Sequence, residues 1–420
     1  MTDLAMARRM VDSLRHGIPP ERGVSLYSVG NEKLIEGVKT YHIDPIGEQG
    51  KIRFLSGSWG SGKTHLFRLL RETAFENKCL VSNVELSVDE APFNKFEMVF
   101  ASIVRNIQTP SHYREEVSVD VAPFGRVLQE ALSYLATGNP SSIGNINHEQ
   151  YAAARSKLMA SVTIDIDFQK MVDQYWKTFF AERIHESLKY EARGETLQWF
   201  AGEGNLKIFR SKFGISKMVS RESARVLLQS LAGFVRLAGY KGLMILFDEA
   251  EQSYSVMKKS DLKEAHNNLL SIINNIEHSS GLFMIYATTP DFFDEPQYGI
   301  VKYPALASRI GMPKDRPPSA LQNIWNLDAV DTYPEDYETA AIKIRSIYDQ
   351  AYPEPELEYP SESDIRAFVQ EMKKKQSELE GVRFWRIMVA ALIAHLDDHL
   401  EGHVRSPQVV YEDTMILLRQ

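Results

Sequence analysis

The sequence predicts an α/β protein: a parallel sheet flanked by helices, with a helical insertion and a small all-α domain after it. Three observations predict this. A short run of alternating character, Lys51–Leu55, leads into Gly57-Ser58-Trp59-Gly60-Ser61-Gly62-Lys63-Thr64, and His65–Leu70 then begins an amphipathic helix. That strand–loop–helix order is the context the pattern G-x-x-x-x-G-K-[ST] requires, the P-loop arrangement. Two wholly apolar runs, Leu243–Phe247 and Leu282–Ala287, read as strands buried on both faces of a parallel sheet. Segments of helical periodicity alternate with these runs, as in a doubly wound sheet.

Taken in order, Ala5–His16 carries Met6, Met10 and Leu14 at helical spacing and stops at Gly17-Ile18-Pro19-Pro20. Ser25–Ser28 reads as a short strand, and Val29-Gly30-Asn31 turns into a helix running to about Tyr41. After the glycine loop, Cys79–Leu86 is a second strand and Asn94–Asn106 a helix. Periodicity weakens from Thr109 to about Val219, where Arg126–Ala136 and Phe168–Tyr190 read as helices and Asn139–His148 as a polar loop. A helix over Ala224–Leu237 returns the chain to the sheet, and Asp261–Glu277 separates the two apolar strands. Beyond Met312 the strands stop, and Ala340–Gln350, Asp364–Lys375, Phe384–Leu396 and Tyr411–Leu418 read as helices. The expected organisation is an N-terminal helical segment over residues 1–50 and a nucleotide-binding core over 51–311 with its insertion at about 109–220. A helical lid follows over 312–420. Neither internal repeats nor low-complexity tracts occur.

Composition narrows the function classes. The chain has 420 residues, 44% hydrophobic and 25% charged, enough for a substantial core. A net charge of −8 gives no global attraction to nucleic acid or anionic membrane, so any such contact must be local. Cys79 is the one cysteine, which leaves no internal disulfide or cysteine-based zinc site and suits a reducing cytoplasm. The longest apolar candidate, Ile387–Ala394, is too short to span a bilayer, and the first residues lack the apolar stretch of a signal peptide, so a cytoplasmic protein with no membrane contact is expected.

The chemistry follows from residue types and spacing. Glycines at 57, 60 and 62 let the backbone N–H groups of Ser58, Trp59, Ser61 and their neighbours turn inward. The helix start at Lys63-Thr64-His65 adds its positive end, so the main chain can hold polyphosphate. Lys63 would reach the β- and γ-phosphates of ATP and the Thr64 hydroxyl would ligate Mg2+. Asp248-Glu249 directly follows an apolar strand; Asp248 would hold Mg2+ through its water shell and Glu249 would act as general base on the attacking water. An Asp-Glu pair capping a helix is the structural alternative. Thr288 or Thr289, ending the next strand, would sense the γ-phosphate or hold the water, unless Thr-Thr-Pro only ends the strand. Arg309 would serve as an arginine finger in a neighbouring subunit of a homo-oligomer, or form a surface salt bridge. Asn31, in the segment before the loop, lies where many P-loop ATPases pack on adenine, though a plain surface helix fits as well. Arg383, and after it Arg386, would reach back from the lid to the phosphates. For DNA the local candidate is Leu206–Arg221, with Lys207, Arg210, Lys212, Lys217 and Arg221, no acid, and Phe209 and Phe213 interleaved. A solvated helix face with both phenylalanines in the core is the alternative.

These residues resemble the AAA+-like ATPases related to origin-recognition and STAND proteins. Within them the chain is most similar to the BrxD-like ATP-binding family of bacterial BREX-type phage-defence loci. The resemblance is carried by VGNEKLI (29–35), GSWGSGKTHL (57–66), LLQSLAGFVRLAGYKGLMILFDEAEQ (227–252), IYATTPDFFDE (285–295), YPALASRI (303–310) and GVRFWR (381–386). It implies an ATPase working beside a defence-system helicase on foreign DNA. One departure stands out: Thr288-Thr289 occupies the strand end where the broader AAA+ pattern commonly has asparagine. The rival expectation is a nucleotide-dependent scaffold that remodels protein partners without contacting DNA.

Overall fold

The computed structural model describes residues 3–114, 121–141, 144, 146–181, 185–330, 332–354, 359–374, 384–403 and 405–419. Six strands form one sheet: β1 Lys51–Ser56, β2 Leu80–Glu85, β3 Ile107–Gln108, β4 Leu243–Asp248, β5 Leu282–Thr288 and β6 Ile324–Asn326. Their spatial order is β3-β2-β4-β5-β1-β6, and every pairing is parallel except β2 with β3. β5 is buried along its whole length and β4 up to Asp248, which is why both read as unbroken apolar runs.

Period-two alternation divides these strands between two cores. Leu55, Val81, Met244, Leu246, Phe283 and Ile285 face α2 (Glu32–Val38) and α3 (Lys63–Glu76). Phe54, Val84, Ile245, Phe247, Met284 and Tyr286 face α4 (Phe96–Arg105), the helices Ala224–Leu237 and Lys259–Asn275, and the insertion. In the insertion Trp176, Trp199, Phe168 and Phe200 join that same core, and Trp176 Nε1 donates to the Leu128 carbonyl at 2.8 Å.

Three expectations are corrected. The helix anticipated over Phe168–Tyr190 is two, Ile166–Lys177 and Glu186–Phe200. Thr178 turns its hydroxyl onto the Tyr175 carbonyl, and Arg193 folds back to donate to that hydroxyl and lie 4.1 Å from the Phe179 ring centre. His185 then caps the second helix through Ser187 N–H. Ser25–Ser28 is not a strand: Val24–Leu26 is a 3-10 turn. The Glu72 carboxylate accepts the N–H groups of Gly23, Val24 and Ser25 at 2.6, 3.0 and 2.9 Å, so those donors are not open to a ladder. Finally, strands do not stop at Met312. β6 pairs with β1, Ile324 opposite Phe54 and Asn326 opposite Ser56, and buries Trp325 completely.

The C-terminal helices Pro334–Ala351, Glu362–Lys374, Phe384–Leu400 and Pro407–Arg419 have their own core. The first helix, α1 (Leu4–Arg15), packs there and not on the sheet: it contributes Ala7, Met10, Val11 and Leu14. Arg15 pairs with Asp397 at 2.8 Å and Arg8 Nε donates to the Ala351 carbonyl at 3.0 Å.

Candidate functional site

The carboxyl ends of β1, β4 and β5 meet at one edge of the sheet, the edge at which open α/β sheets form ligand crevices. β1 runs into the glycine loop, whose entry is fixed by the Gly57 N–H bond to the Thr288 carbonyl at 3.1 Å. A side chain at Gly57 would collide with Ser61, and Gly60 and Gly62 take φ of 76° and 97°, a left-handed conformation natural only to glycine. The loop therefore closes on itself and delivers the chain into α3 at Lys63, presenting the free N–H groups of a helix start. Lys63 Nζ donates to the Gly57 carbonyl at 2.7 Å and lies 5.7 Å from the centre of the exposed Trp59 ring. Thr64 is exposed at the same opening.

At the end of β4, Asp248 Oδ1 accepts the Glu249 N–H at 3.0 Å. Burial raises the Asp248 carboxyl above its ordinary range; that N–H bond and the positive charge of Lys63 act in the opposite direction. Glu249 is left-handed, φ 57° and ψ 32°, a conformation that is strained for a residue with a side chain. At the end of β5, Ser56 and Thr288 lie side by side in register. The hydroxyls of Ser56, Ser61, Thr288 and Thr289 are buried with no hydrogen-bond partner among the described residues. Buried hydroxyls are seldom left unpaired. A cradle of turned-in glycines, an ammonium, a carboxylate and several unpaired hydroxyls suits a hydrated, metal-bound polyphosphate, with Thr64 and Asp248 the groups able to hold the cation.

The segment before the loop closes another side. His65 on α3 lies 3.0 Å through Nε2 from Ser28 Oγ, with its ring 5.4 Å from that of Tyr27, and burial pushes its imidazole down to about 4. Lys343, from the helix Pro334–Ala351, donates to the Ser28 carbonyl at 3.0 Å. Asn31 begins α2 and turns its amide onto the Val29 carbonyl at 3.3 Å. Residues 28–31 thus bridge the start of α3 and the C-terminal helices.

The family model for the BREX system ATP-binding protein BrxC/D matches residues 4–414. The chain belongs to that family. It is therefore a member of an ATP-binding family from a phage-defence system, and other subunits of such a system are plausible partners. No curated protein matches the sequence, and no solved structure does.

Other expected residues fall elsewhere in this family member. Arg309 is exposed on the short helix Pro304–Ile310, with no hydrogen bond or ion pair among the described residues. Arg383 lies outside the described residues; Arg386 lies against Gly17 at the end of α1. In the basic stretch, Lys212 pairs with Glu195, Lys217 with Asp165 and Arg221 with Glu264, while Arg210 donates to the Ser216 carbonyl. Lys207 is exposed, Phe209 is 5% exposed, and Phe213 packs on Phe209 with ring centres 5.6 Å apart. The interleaved aromatics are therefore core residues, and local acids already face most of the cations.

Among the described residues no cluster of His, Cys, Asp and Glu forms a self-contained metal site, and no helix is long and apolar enough to cross a membrane. Sequence reasoning missed Asp328, which touches the glycine loop directly: its carboxylate accepts Ser58 N–H at 2.9 Å and Ser58 Oγ–H at 2.7 Å. The two residues are 270 positions apart, and no motif spans such a gap.

Proposed function

We propose that this chain is an ATP-hydrolysing, AAA+-like P-loop ATPase that works in the cytoplasm as a switch or motor of a bacterial anti-phage defence system, on DNA and beside a helicase subunit. One observation carries the hydrolysis reading. The glycine loop, the Asp248-Glu249 pair and the unpaired Thr288 and Thr289 hydroxyls converge at the carboxyl ends of three parallel strands, with Lys63 electrostatically coupled to Asp248.

In this reading the loop N–H groups and Lys63 hold the β- and γ-phosphates of ATP. Thr64 and Asp248 would hold Mg2+. Bound Mg2+ supplies charge neutralisation for the phosphates. Glu249 orients the attacking water and takes up its proton on a carboxylate oxygen. Thr288 or Thr289 reads the γ-phosphate. Residues 28–31 with His65 flank the base, and Arg383 contributes from the lid. Arg309 completes the site of a neighbouring copy.

The test is steady-state ATP hydrolysis by purified protein, with and without single- and double-stranded DNA. Turnover that DNA stimulates several-fold is the expected result, and absence of turnover in every condition overturns the ATPase assignment. A second reading, an ATP-driven remodeller of protein partners that never touches DNA, is favoured by the ion pairs on Lys212, Lys217 and Arg221. DNA-indifferent hydrolysis supports it.

A further inference from the structure

We propose that Asp328 is a positioning residue for nucleotide binding, clamping the first turn of the glycine loop from the turn Leu327–Ala329 that follows the neighbouring strand β6. The inference rests on the ATP-binding reading of the loop.

The loop is rich in glycine, the residue that loses most conformational freedom on being ordered. Gly57, Gly60 and Gly62 carry no side chain, and no atom lies within 4 Å of where a Cβ on Gly62 would stand. Holding such a segment in one conformation has an entropic cost that binding must meet unless the protein has already met it. Lys63 supplies one internal tie, from its ammonium to the Gly57 and Ser58 carbonyls at 2.7 and 3.4 Å. That ammonium must also face the phosphates, so this tie weakens on binding. The Asp328 contact takes the Ser58 N–H and hydroxyl, so Ser58, expected from the sequence among the phosphate donors, is instead held by the carboxylate, and the N–H groups from Trp59 onward remain for phosphate.

The support behind Asp328 is itself built. β6 is tied to β1 by the pairing of Ser56 with Asn326. Asn326 Oδ1 accepts the Asp328 N–H at 3.1 Å, fixing the turn that follows the strand. Leu327 packs on the loop entry, its Cβ 3.3 Å from where a side chain on Gly57 would begin. The end of the edge strand and the turn after it thus fix the start of the loop through three consecutive residues: backbone pairing by Asn326, apolar contact by Leu327 and a two-point carboxylate contact by Asp328.

The experiment compares wild type with Asp328→Ala, Asp328→Asn and Ser58→Ala in the full chain. It measures hydrogen–deuterium exchange over residues 56–63 without nucleotide, and the Kd of a fluorescent ATP analogue. Asp328→Ala should speed exchange in the loop and raise Kd by about tenfold. Asp328→Asn, which keeps an acceptor for Ser58 N–H, should restore most of both, and Ser58→Ala should fall between. Thermal midpoints should agree across the series. Unchanged exchange in Asp328→Ala overturns the clamp, as does equal loss in the Ala and Asn variants. Failure of the wild type to bind the analogue would instead overturn the ATP reading, while the exchange comparison still tests the clamp.

Discussion

Glu249 holds a left-handed backbone at the end of β4, where the chain leaves the sheet beside the glycine loop. Such strain costs a residue with a side chain on the order of 1–3 kcal/mol and persists where something else depends on it. The residue in that position is also the one assigned, in the proposed function, as the base. Glu249→Gln should therefore retain nucleotide, because the loop and Asp248 are intact, yet lose turnover by at least about a hundredfold. Trapped ATP measured on the isolated protein checks this, and turnover at the wild-type rate would sink the base assignment. Glu249→Gly should be as inactive but no less stable than wild type, since relief of strain offsets the extra freedom of glycine. A lower thermal midpoint for the glycine variant would show that the backbone is not strained. Lys63→Ala should weaken nucleotide binding itself, readable as loss of ATP-dependent thermal stabilisation.

At the scale of elements, what was legible in the sequence is what local periodicity encodes. β1, β4 and β5 have enough alternating or apolar residues to declare themselves, and the glycine pattern marks the turn between β1 and α3. β6 has three residues and sits beyond Pro317 and Pro318, so its identity comes from pairing with β1 and from no pattern of its own. The helix His148–Met159 buries only Ala154 and Leu158, too little to produce a recognisable stripe. The 3-10 turn at Val24–Leu26 likewise depends on a distant residue, Glu72 of α3. The Glu72 carboxylate is 7% exposed and accepts three backbone N–H groups and the Tyr113 hydroxyl. Nearby, Arg68 and Arg71 pair with Glu21. Together these tie the helix that follows the glycine loop to the segment that leads back to α1. Glu72→Ala would leave buried donors unpaired and should lower stability by about 2–4 kcal/mol, with Glu72→Gln recovering part of it. Denaturant unfolding of the three proteins checks the order, and equal stability of the Ala variant and wild type would refute it.

For the whole molecule, acid sensitivity follows from where the histidines sit. His42 and His266 are each 2% exposed, and burial pushes both imidazoles from 6.5 down to about 4. His42 stacks on Phe283 and donates to the Ala320 carbonyl; His266 lies among Tyr254, Phe292 and Tyr303 with neither ring nitrogen bonded. Both are neutral in the fold, while in the unfolded chain they take up protons below about 6.5. The unfolded state therefore binds more protons between pH 6.5 and 4, and stability falls as pH falls through that window, on the order of 2 kcal/mol per ring. Denaturant midpoints from pH 7.5 to 4.5 measure the slope. His266→Phe should flatten it without loss at neutral pH, and an unchanged slope would show that the ring does not control it.

The packing of α1 on the helices after residue 334 has a consequence for how the chain is made. Arg8 meets Ala351 across 343 positions, and Arg15 meets Asp397 across 382. On a ribosome adding 5–20 residues per second, α1 emerges roughly 20–70 seconds before the helix Phe384–Leu400 that covers it. Until Pro334–Ala351 is made the face bearing Met10, Val11 and Leu14 has no permanent cover, and by the time Phe384–Leu400 completes that cover the sheet, whose last strand is β6, and its insertion are already finished. The sheet-bearing part can close during synthesis, whereas the core of α1 and the C-terminal helices is finished last, from helices made at opposite times, and the waiting face of α1 is the place where a nascent chain is most open to chaperones and to misassembly.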